Sequence, residues 1–338
     1  MFESEHEVIC YCQEPESGLR AIIAIHSMKR GPALGGTRVF PYRSDEDALS
    51  DVLELSRAMT WKAAAAELPF GGAKAVILAD PADPHKRRKL KAFCKFINLF
   101  EGNFQTGEDI GVDRDDMLFM RQFCRYVHCS KPGDPEYLDT SALTARGVLR
   151  WIEAAVQFRF GTADLRGRTI AIQGLGKVGT KLAHQLRERG SELVVADVNQ
   201  MQVDKICSEL GCRHVDPDQI FAVQADVFSP CAVGHVLNGQ SVSDLKASIV
   251  AGCANNQLAA PEVADLLHQR NILYAPDYVI NAGGLISAML EMGMEDAETM
   301  IARIDRIGER LLQIFRAAQS RNLTTLEVAD QMVREQLK

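Results

Sequence analysis

The stretch Arg168-Thr-Ile-Ala-Ile-Gln-Gly-Leu-Gly-Lys-Val-Gly179 decides how the rest of the chain is read. A β-branched apolar strand runs into Gly174-Leu175-Gly176-Lys177-Val178-Gly179, and a helical pattern over Lys177–Arg189 follows directly. In such a G-x-G-x-x-G turn the first glycine permits the tight bend. The second lets the backbone approach a pyrophosphate, and the third allows close helix–strand packing. The N-terminus of the following helix offers unpaired N–H groups and partial positive charge to the phosphates. A second apolar strand, Glu192–Ala196, ends in Asp197, about 20 residues on, where a carboxylate bonds an adenosine ribose and repels a 2′-phosphate. Together these features predict an NAD site, with NAD favoured over NADP. A tight βα turn without a ligand is the weaker reading.

Outward from this motif, Arg168 to Ile280 cycles through strand, Gly-rich turn and helix, the pattern of a doubly wound parallel sheet. Downstream, Ala297–Ala318 is amphipathic, with Ile301, Ile304, Leu311, Leu312 and Phe315 on a helical period, and Thr324-x-x-Glu327 reads as a capping box. Upstream, Lys131-Pro-Gly-Asp-Pro is a turn-rich junction before a helix over Ser141–Gln157. In the first third, Leu19–His26 and Thr37–Tyr42 read as strands. Ser44 caps a helix whose Ala48, Val52, Leu55 and Met59 repeat at helical spacing. Pro69-Phe-Gly-Gly breaks that pattern, and Ala75–Leu78 reads as a buried strand. The expected fold is α/β, with an N-terminal α/β substrate and oligomerisation domain (1–135), a C-terminal Rossmann domain (136–320) and a cleft between. A last helix at about 320–338 can return to the first domain.

Composition narrows the function classes. The 338 residues carry 38 Lys+Arg against 45 Asp+Glu, a net charge of −7, which argues against a general nucleic-acid backbone binder. The one dense basic run, Lys86-Arg-Arg-Lys-Leu-Lys, reads as a solvated helix face. No apolar run has membrane-span length, and Met1-Phe-Glu-Ser-Glu-His-Glu is acidic where a secretory signal is basic. Nine scattered cysteines without C-x-x-C, and eight histidines without H-E-x-x-H, point to free thiols in the cytoplasm and to no metal site.

The catalytic candidates lie upstream of the glycine motif. Lys62 falls near the end of the first long helix and Lys74 near the start of the next strand, and a turn through Pro69 can bring both to one cavity. Two ammonium groups there would bind a substrate carboxylate, and their repulsion favours loss of a proton from one. Asp109, in the Gly107-Glu-Asp-Ile-Gly loop, supplies a carboxylate placed to exchange a proton with a nitrogen. By spacing alone, two solvated lysines are the commoner reading.

From Gly31-Pro-Ala-Leu-Gly-Gly-Thr-Arg38 onward the sequence resembles the leucine/phenylalanine/valine dehydrogenases, a branch of the amino-acid dehydrogenases that include glutamate dehydrogenase. The matching segments are Lys62-Ala-Ala, Gly71-Gly-Ala-Lys74-Ala-Val-Ile, Thr106-Gly-Glu-Asp109, the Gly174–Gly179 turn, Cys253-Ala-Asn-Asn-Gln-Leu and Tyr274-Ala-Pro-Asp-Tyr-Val-Ile-Asn-Ala-Gly-Gly284. They stand in the family's order over nearly the whole chain.

The resemblance implies reversible oxidative deamination of an amino acid to a 2-oxo acid and ammonia. Lys62 would anchor the substrate carboxylate, Lys74 would be the catalytic lysine that helps water add to an imine, and Asp109 would pass a proton to or from the nitrogen. The backbone at Gly35 and Gly36 and the amides of Asn255 and Asn256 would line the site, with Thr144 by the nicotinamide. Leu34, Gly107, Leu285 and Ala288 would form the side-chain pocket. Gly at 107 and Leu at 285 match phenylalanine-type members, so large aliphatic or aromatic substrates are expected, and no Lys or Arg is present among these four to hold glutamate. The resemblance also implies a homo-oligomer formed through the N-terminal domain.

Two departures stand out: Ala73 replaces a glycine beside Lys74, and Asp139-Thr-Ser-Ala-Leu replaces a proline-containing stretch before Thr144. Two other classes stay open, an NAD-binding regulatory protein without catalysis and a hydroxy-acid dehydrogenase. The latter usually needs a histidine near an arginine.

Overall fold

The computed structural model describes residues 5–129 and 139–338. The Lys131-Pro-Gly-Asp-Pro junction and the expected boundary at 135/136 lie outside the described residues. The chain forms two compact units: Met1–Tyr137 with Ala288–Met294 and Glu335–Lys338, and Leu138–Ser287 with Glu295–Arg334.

The first unit is built on β1 (Val8–Glu14), β2 (Leu19–Ser27), β3 (Ala33–Leu34), β4 (Thr37–Phe40), α1 (Asp45–Ala65), β5 (Gly71–Leu78), α2 (Lys86–Asn98), β6 (Phe104–Gln105) and α3 (Arg114–Arg121). Its sheet runs β1-β2-β5-β3-β6, with β4 also paired to β5. Strand β2 is antiparallel to both β1 and β5, whereas β3 and β4 run parallel to β5. Strand β2 is apolar almost throughout because both faces are covered. Leu19, Ala21, Ile23 and Ile25 pack with Leu90, Phe93 and Met117 from α2 and α3, while Ile22 and Ala24 pack with Ala48 and Val52 of α1. At the chain's end, Gln336 Oε1 and Leu337 O accept bonds from Arg30 and Lys29.

Helix α1 starts as its sequence demands, with Ser44 Oγ accepting from Asp47 N. Its buried row differs from the expected one: after Ala48 and Val52 it continues through Ser56 and Thr60, leaving Leu55 and Met59 half-buried. The cause is backbone proximity, since a Cβ at Gly72 of β5 would sit 2.1 Å from Thr60 N. Only short side chains fit where the helix rests on the strand. The basic run opens α2, where Lys86, Lys89 and Lys95 pair with Asp116, Asp83 and Glu14, and Arg87 and Lys91 lie over Phe119 and Phe123.

The second unit begins with α4 (Thr140–Phe160), β7 (Thr169–Gln173), α5 (Lys177–Glu188), β8 (Glu192–Ala196), α6 (Gln200–Leu210), β9 (Arg213–His214) and β10 (Val227–Pro230). After these come α7 (Gly239–Asp244), β11 (Ile249–Val250), α8 (Val263–Gln269) and β12 (Leu273–Tyr274). The remaining helices are α9 (Asp277–Ile280), α10 (Gly283–Glu291), α11 (Ala297–Arg321) and α12 (Thr325–Gln336). The sheet is parallel, in the order β12-β11-β10-β7-β8-β9. Strand order reverses at β7, and in such sheets ligands bind at the carboxyl ends of the strands at that switch point. The Thr324/Glu327 capping box is formed, with Thr324 N donating to Glu327 Oε2 at 2.8 Å and Glu327 N to Thr324 Oγ1 at 3.1 Å. Among the described residues no helix is long and apolar enough to cross a membrane.

Candidate active site

Alternation along β5 sorts its side chains into two sets. Ala73, Ala75 and Ile77 enter the core shared with α2 and α3, while Gly72 and Val76 face α1. Lys74 therefore leaves the strand on the α1 face, away from the Ala73 methyl. Ala73 is fully buried in the opposite core, so the replacement of glycine there does not crowd the lysine. Lys62 stands half-buried in the last turn of α1, where a cation also suits the helix dipole.

Lys74, itself buried, forms an ion pair with Asp109 Oδ2. The second carboxylate oxygen faces Arg38 Nη2 at 3.6 Å and accepts from Ile110 N at 2.6 Å. Arg38 is held in turn by Asp51 Oδ2 at 2.9 Å, which also accepts from Tyr42 Oη. Burial pushes the Asp109 carboxyl up, but the positive charges of Lys74 and Arg38 outweigh it and hold Asp109 below its ordinary value.

The glycines beside this pair serve close approach. A Cβ at Gly35 would sit 1.6 Å from Ala73 O, and one at Gly36 would sit 2.7 Å from Glu108 O and 3.0 Å from Asp109 Cβ. The Gly35-Gly36 backbone is thus wedged between the segments carrying Lys74 and Asp109. Leu34 is buried and pairs with Gly72 and Gln105 in the sheet. Gly107 O accepts from Thr37 N at 3.0 Å, and an added Cβ there would meet only His128 O, at 3.5 Å.

In the second unit the three glycines of the motif have different surroundings. Gly174 has φ +99°, the left-handed side that favours glycine. A Cβ at Gly179 would sit 2.0 Å from Gly174 O, so helix and turn touch there. Gly176 is exposed, and a Cβ on it would meet nothing within 4 Å. This open backbone at the start of α5, with Lys177 exposed and Val178 half-buried behind it, fits a dinucleotide phosphate group. Asp197 Oδ2 accepts from Leu175 N at 2.6 Å and Oδ1 from Asn199 N at 2.8 Å, which ties the acid to the glycine turn.

Thr144 of α4 donates to Thr140 O at 2.8 Å, and the Gly283–Gly284 turn packs on it: Cβ atoms there would lie 3.0 Å from Thr144 Cα and 3.1 Å from Thr144 Oγ1. Asp139 caps α4 by accepting from Ser141 N and Ala142 N and pairs with Lys181 at 3.1 Å. That cap replaces the proline expected before Thr144. Asn281, buried, donates to Asn255 Oδ1 at 2.7 Å, while Asn256 holds φ +49° and its carbonyl accepts from His235 N at 2.6 Å. Leu285 is buried in α10, and Ala288 belongs to the first unit.

The structure thus gathers Lys74, Asp109, Gly35 and Gly36 in one place and Thr144 with Gly283 and Gly284 in another. Two contributors have no role in the sequence reading, Arg38 and Asn281. Both lie within quoted segments. For Arg38 the available signal was a charge inside an otherwise apolar strand, which requires a partner.

The profile of the Glu/Leu/Phe/Val dehydrogenase dimerisation domain matches residues 5–126, and that of Glutamate/Leucine/Phenylalanine/Valine dehydrogenase matches 195–336. A leucine dehydrogenase of Geobacillus stearothermophilus is 41% identical over 334 residues, spanning 99% of this chain and 91% of the relative. The chain belongs to the Glu/Leu/Phe/Val dehydrogenase family. It is an NAD-dependent amino-acid dehydrogenase. A phenylalanine dehydrogenase of Lysinibacillus sphaericus is 43% identical, covering 97% of this dehydrogenase and 87% of its own length. The crystal structure of L-tryptophan dehydrogenase from Nostoc punctiforme superposes with a TM-score of 0.86 at 37% identity, over 99% of this chain and 97% of that one. The NAD binding domain of D-isomer specific 2-hydroxyacid dehydrogenases also matches, over residues 144–238. That match lies wholly within the second unit, and the hydroxy-acid reading gains nothing from the first unit.

Proposed function

We propose that this dehydrogenase oxidatively deaminates L-amino acids with large apolar side chains, aromatic or aliphatic, and that Lys74 and Asp109 handle its protons. The observation that carries the reading is the ion pair of buried Lys74 with half-buried Asp109, flanked by Gly35 and Gly36. Asp109, held as a carboxylate, takes a proton from the substrate ammonium, and Lys62 holds the substrate carboxylate. The Gly174–Gly179 turn would hold NAD, which when bound would supply the hydride acceptor for the substrate Cα. Lys74, once deprotonated, draws a proton from the water that adds to the imine carbon, and Asp109 returns one to the departing ammonia. Asn255 and Thr144 orient the reacting groups, Asn256 and Asp197 hold the cofactor, and Asp197 disfavours a 2′-phosphate.

The pocket reading rests on Leu34, Gly107, Leu285 and Ala288, which carry no charge to hold an acidic side chain, and on relatives named for leucine, phenylalanine and tryptophan. We assign catalysis to a domain of residues 1–135 and the cofactor to 136–320. The protein acts as a cytoplasmic homo-oligomer, with small-molecule substrates and neither nucleic acid nor membrane as partner. Lys74→Ala tests the central role: kcat should fall by about 10²–10⁴ while NADH binding, followed by fluorescence, persists. Near-normal turnover would remove Lys74 from the mechanism.

A further inference from the structure

Cys231 follows β10 and Cys253 follows β11, neighbouring parallel strands whose register pairs Val227 with Ile249 and Phe228 with Val250. The same register, continued, sets Pro230 against Gly252 and Cys231 against Cys253. The backbones remain close at that point, since Ala254 N donates to Pro230 O at 2.9 Å and a Cβ at Gly252 would sit 2.3 Å from Pro230 O. Adjacent strands lie about 4.8 Å apart, inside the roughly 4.4–6.8 Å Cα separation that a disulfide spans. Cys231 and Cys253 are free, half-buried thiols, and Cys231 Sγ lies 3.4 Å from Ser229 Oγ.

This pair adjoins the cofactor turn. Cys231 N donates to Gln173 O at 2.7 Å, a Cβ at Gly179 would lie 3.3 Å from Cys231 Cβ, and Gly174 packs on Ala232. Cys253 leads through Ala254 into Asn255 and Asn256, and Gly234 presses on Asn255 O. The dithiol therefore joins the segment under the dinucleotide turn to the segment carrying the two amides.

We propose that Cys231 and Cys253 form a redox-sensitive dithiol which a hydroperoxide converts to a disulfide, reversibly weakening dinucleotide binding. The inference rests on the Gly174–Gly179 turn being the NAD site. The Cys231 sulfur attacks the terminal oxygen of the peroxide, the O–O bond breaks, an alcohol (or water) departs and a sulfenic acid is left. The Cys253 sulfur then attacks the Cys231 sulfur, and hydroxide leaves and takes up the Cys253 proton as water. The two thiols lose two electrons and the peroxide gains them. The hydrogen bond from Cys253 holds the Cys231 thiol below its ordinary value despite burial, while that bond and burial push Cys253 up, so Cys231 is the attacking sulfur. A second close pair, Cys212 and Cys207 with sulfurs 3.2 Å apart, lies between the last turn of α6 and β9 and serves as the control.

The test treats the full-length enzyme with hydrogen peroxide, maps disulfides by non-reducing peptide mass spectrometry and measures NADH affinity by fluorescence. The expected result is a Cys231–Cys253 cross-linked peptide and NADH affinity weakened by about tenfold or more, both reversed by dithiothreitol. Cys253→Ser should keep its affinity under the same treatment, and Cys207→Ser should respond like the parent. Should Cys253→Ser not fold, Cys231→Ser supplies the same arm. Absence of the cross-link, a cross-link without loss of affinity, or equal loss in the Cys253→Ser variant and the parent overturns the proposal. NADH binding by the untreated enzyme reads the cofactor site separately.

Discussion

At position 109 a carboxylate sits between two cations, and its chemistry follows from that. Because Lys74 and Arg38 hold the folded-state Asp109 below its ordinary value, ionised Asp109 adds stability above the unfolded-chain value of about 4, and that contribution fades as pH falls. Thermal unfolding from pH 6 down to pH 3 should therefore show a shallower acid loss in Asp109→Asn than in the parent, and parallel curves would contradict the ion pair. Asp197→Ala should narrow the preference for NAD over NADP in steady-state assays, and an unchanged preference would remove Asp197 from cofactor choice. Gly107→Ala adds a methyl that meets only His128 O at 3.5 Å, so the fold should tolerate it. Its kcat/KM ratio for phenylalanine over valine should fall by about 10-fold or more, in line with about 1–3 kcal/mol for a methylene-sized change. Lys74 and Asp109 were legible as candidates only through the family resemblance of their segments. Their contact was not, since it depends on β3 and β4 bringing distant segments together beside β5.

At the scale of elements, glycine position separates packing from binding. Gly179→Ala forces a Cβ against Gly174 O and should destabilise the second unit by about 1–3 kcal/mol, seen as a lowered Tm. Gly176→Ala meets open space, so Tm should hold while NADH affinity falls; the reverse pattern would refute the assigned roles. The βα turn was readable from sequence because strand, glycines, helix and acid are contiguous or nearly so. Helix α1 was less legible, because the spacing of Leu55 and Met59 satisfies a helical period without showing which face meets the sheet. The close approach of Gly72 to Thr60 selects Ser56 and Thr60 instead, and no local pattern announces a contact between a helix and the strand after it.

At the scale of the molecule, a chain of net charge −7 keeps Lys74 buried against Asp109, and much of its basic α2 run is paired within its own unit. The doubly wound sheet followed from the alternation of strands and helices after Arg168, whereas the mixed sheet of the first unit did not, because its two-residue strands β3 and β6 carry no periodic signal. Light scattering should return two or more times the chain mass, and a monomer at working concentration would refute the homo-oligomer. The most direct measurement is kcat/KM for NADH formation with L-leucine, L-valine, L-phenylalanine, L-tryptophan and L-glutamate side by side. Large apolar substrates should lead and glutamate should trail them, whereas a dominant rate with glutamate would contradict the uncharged pocket.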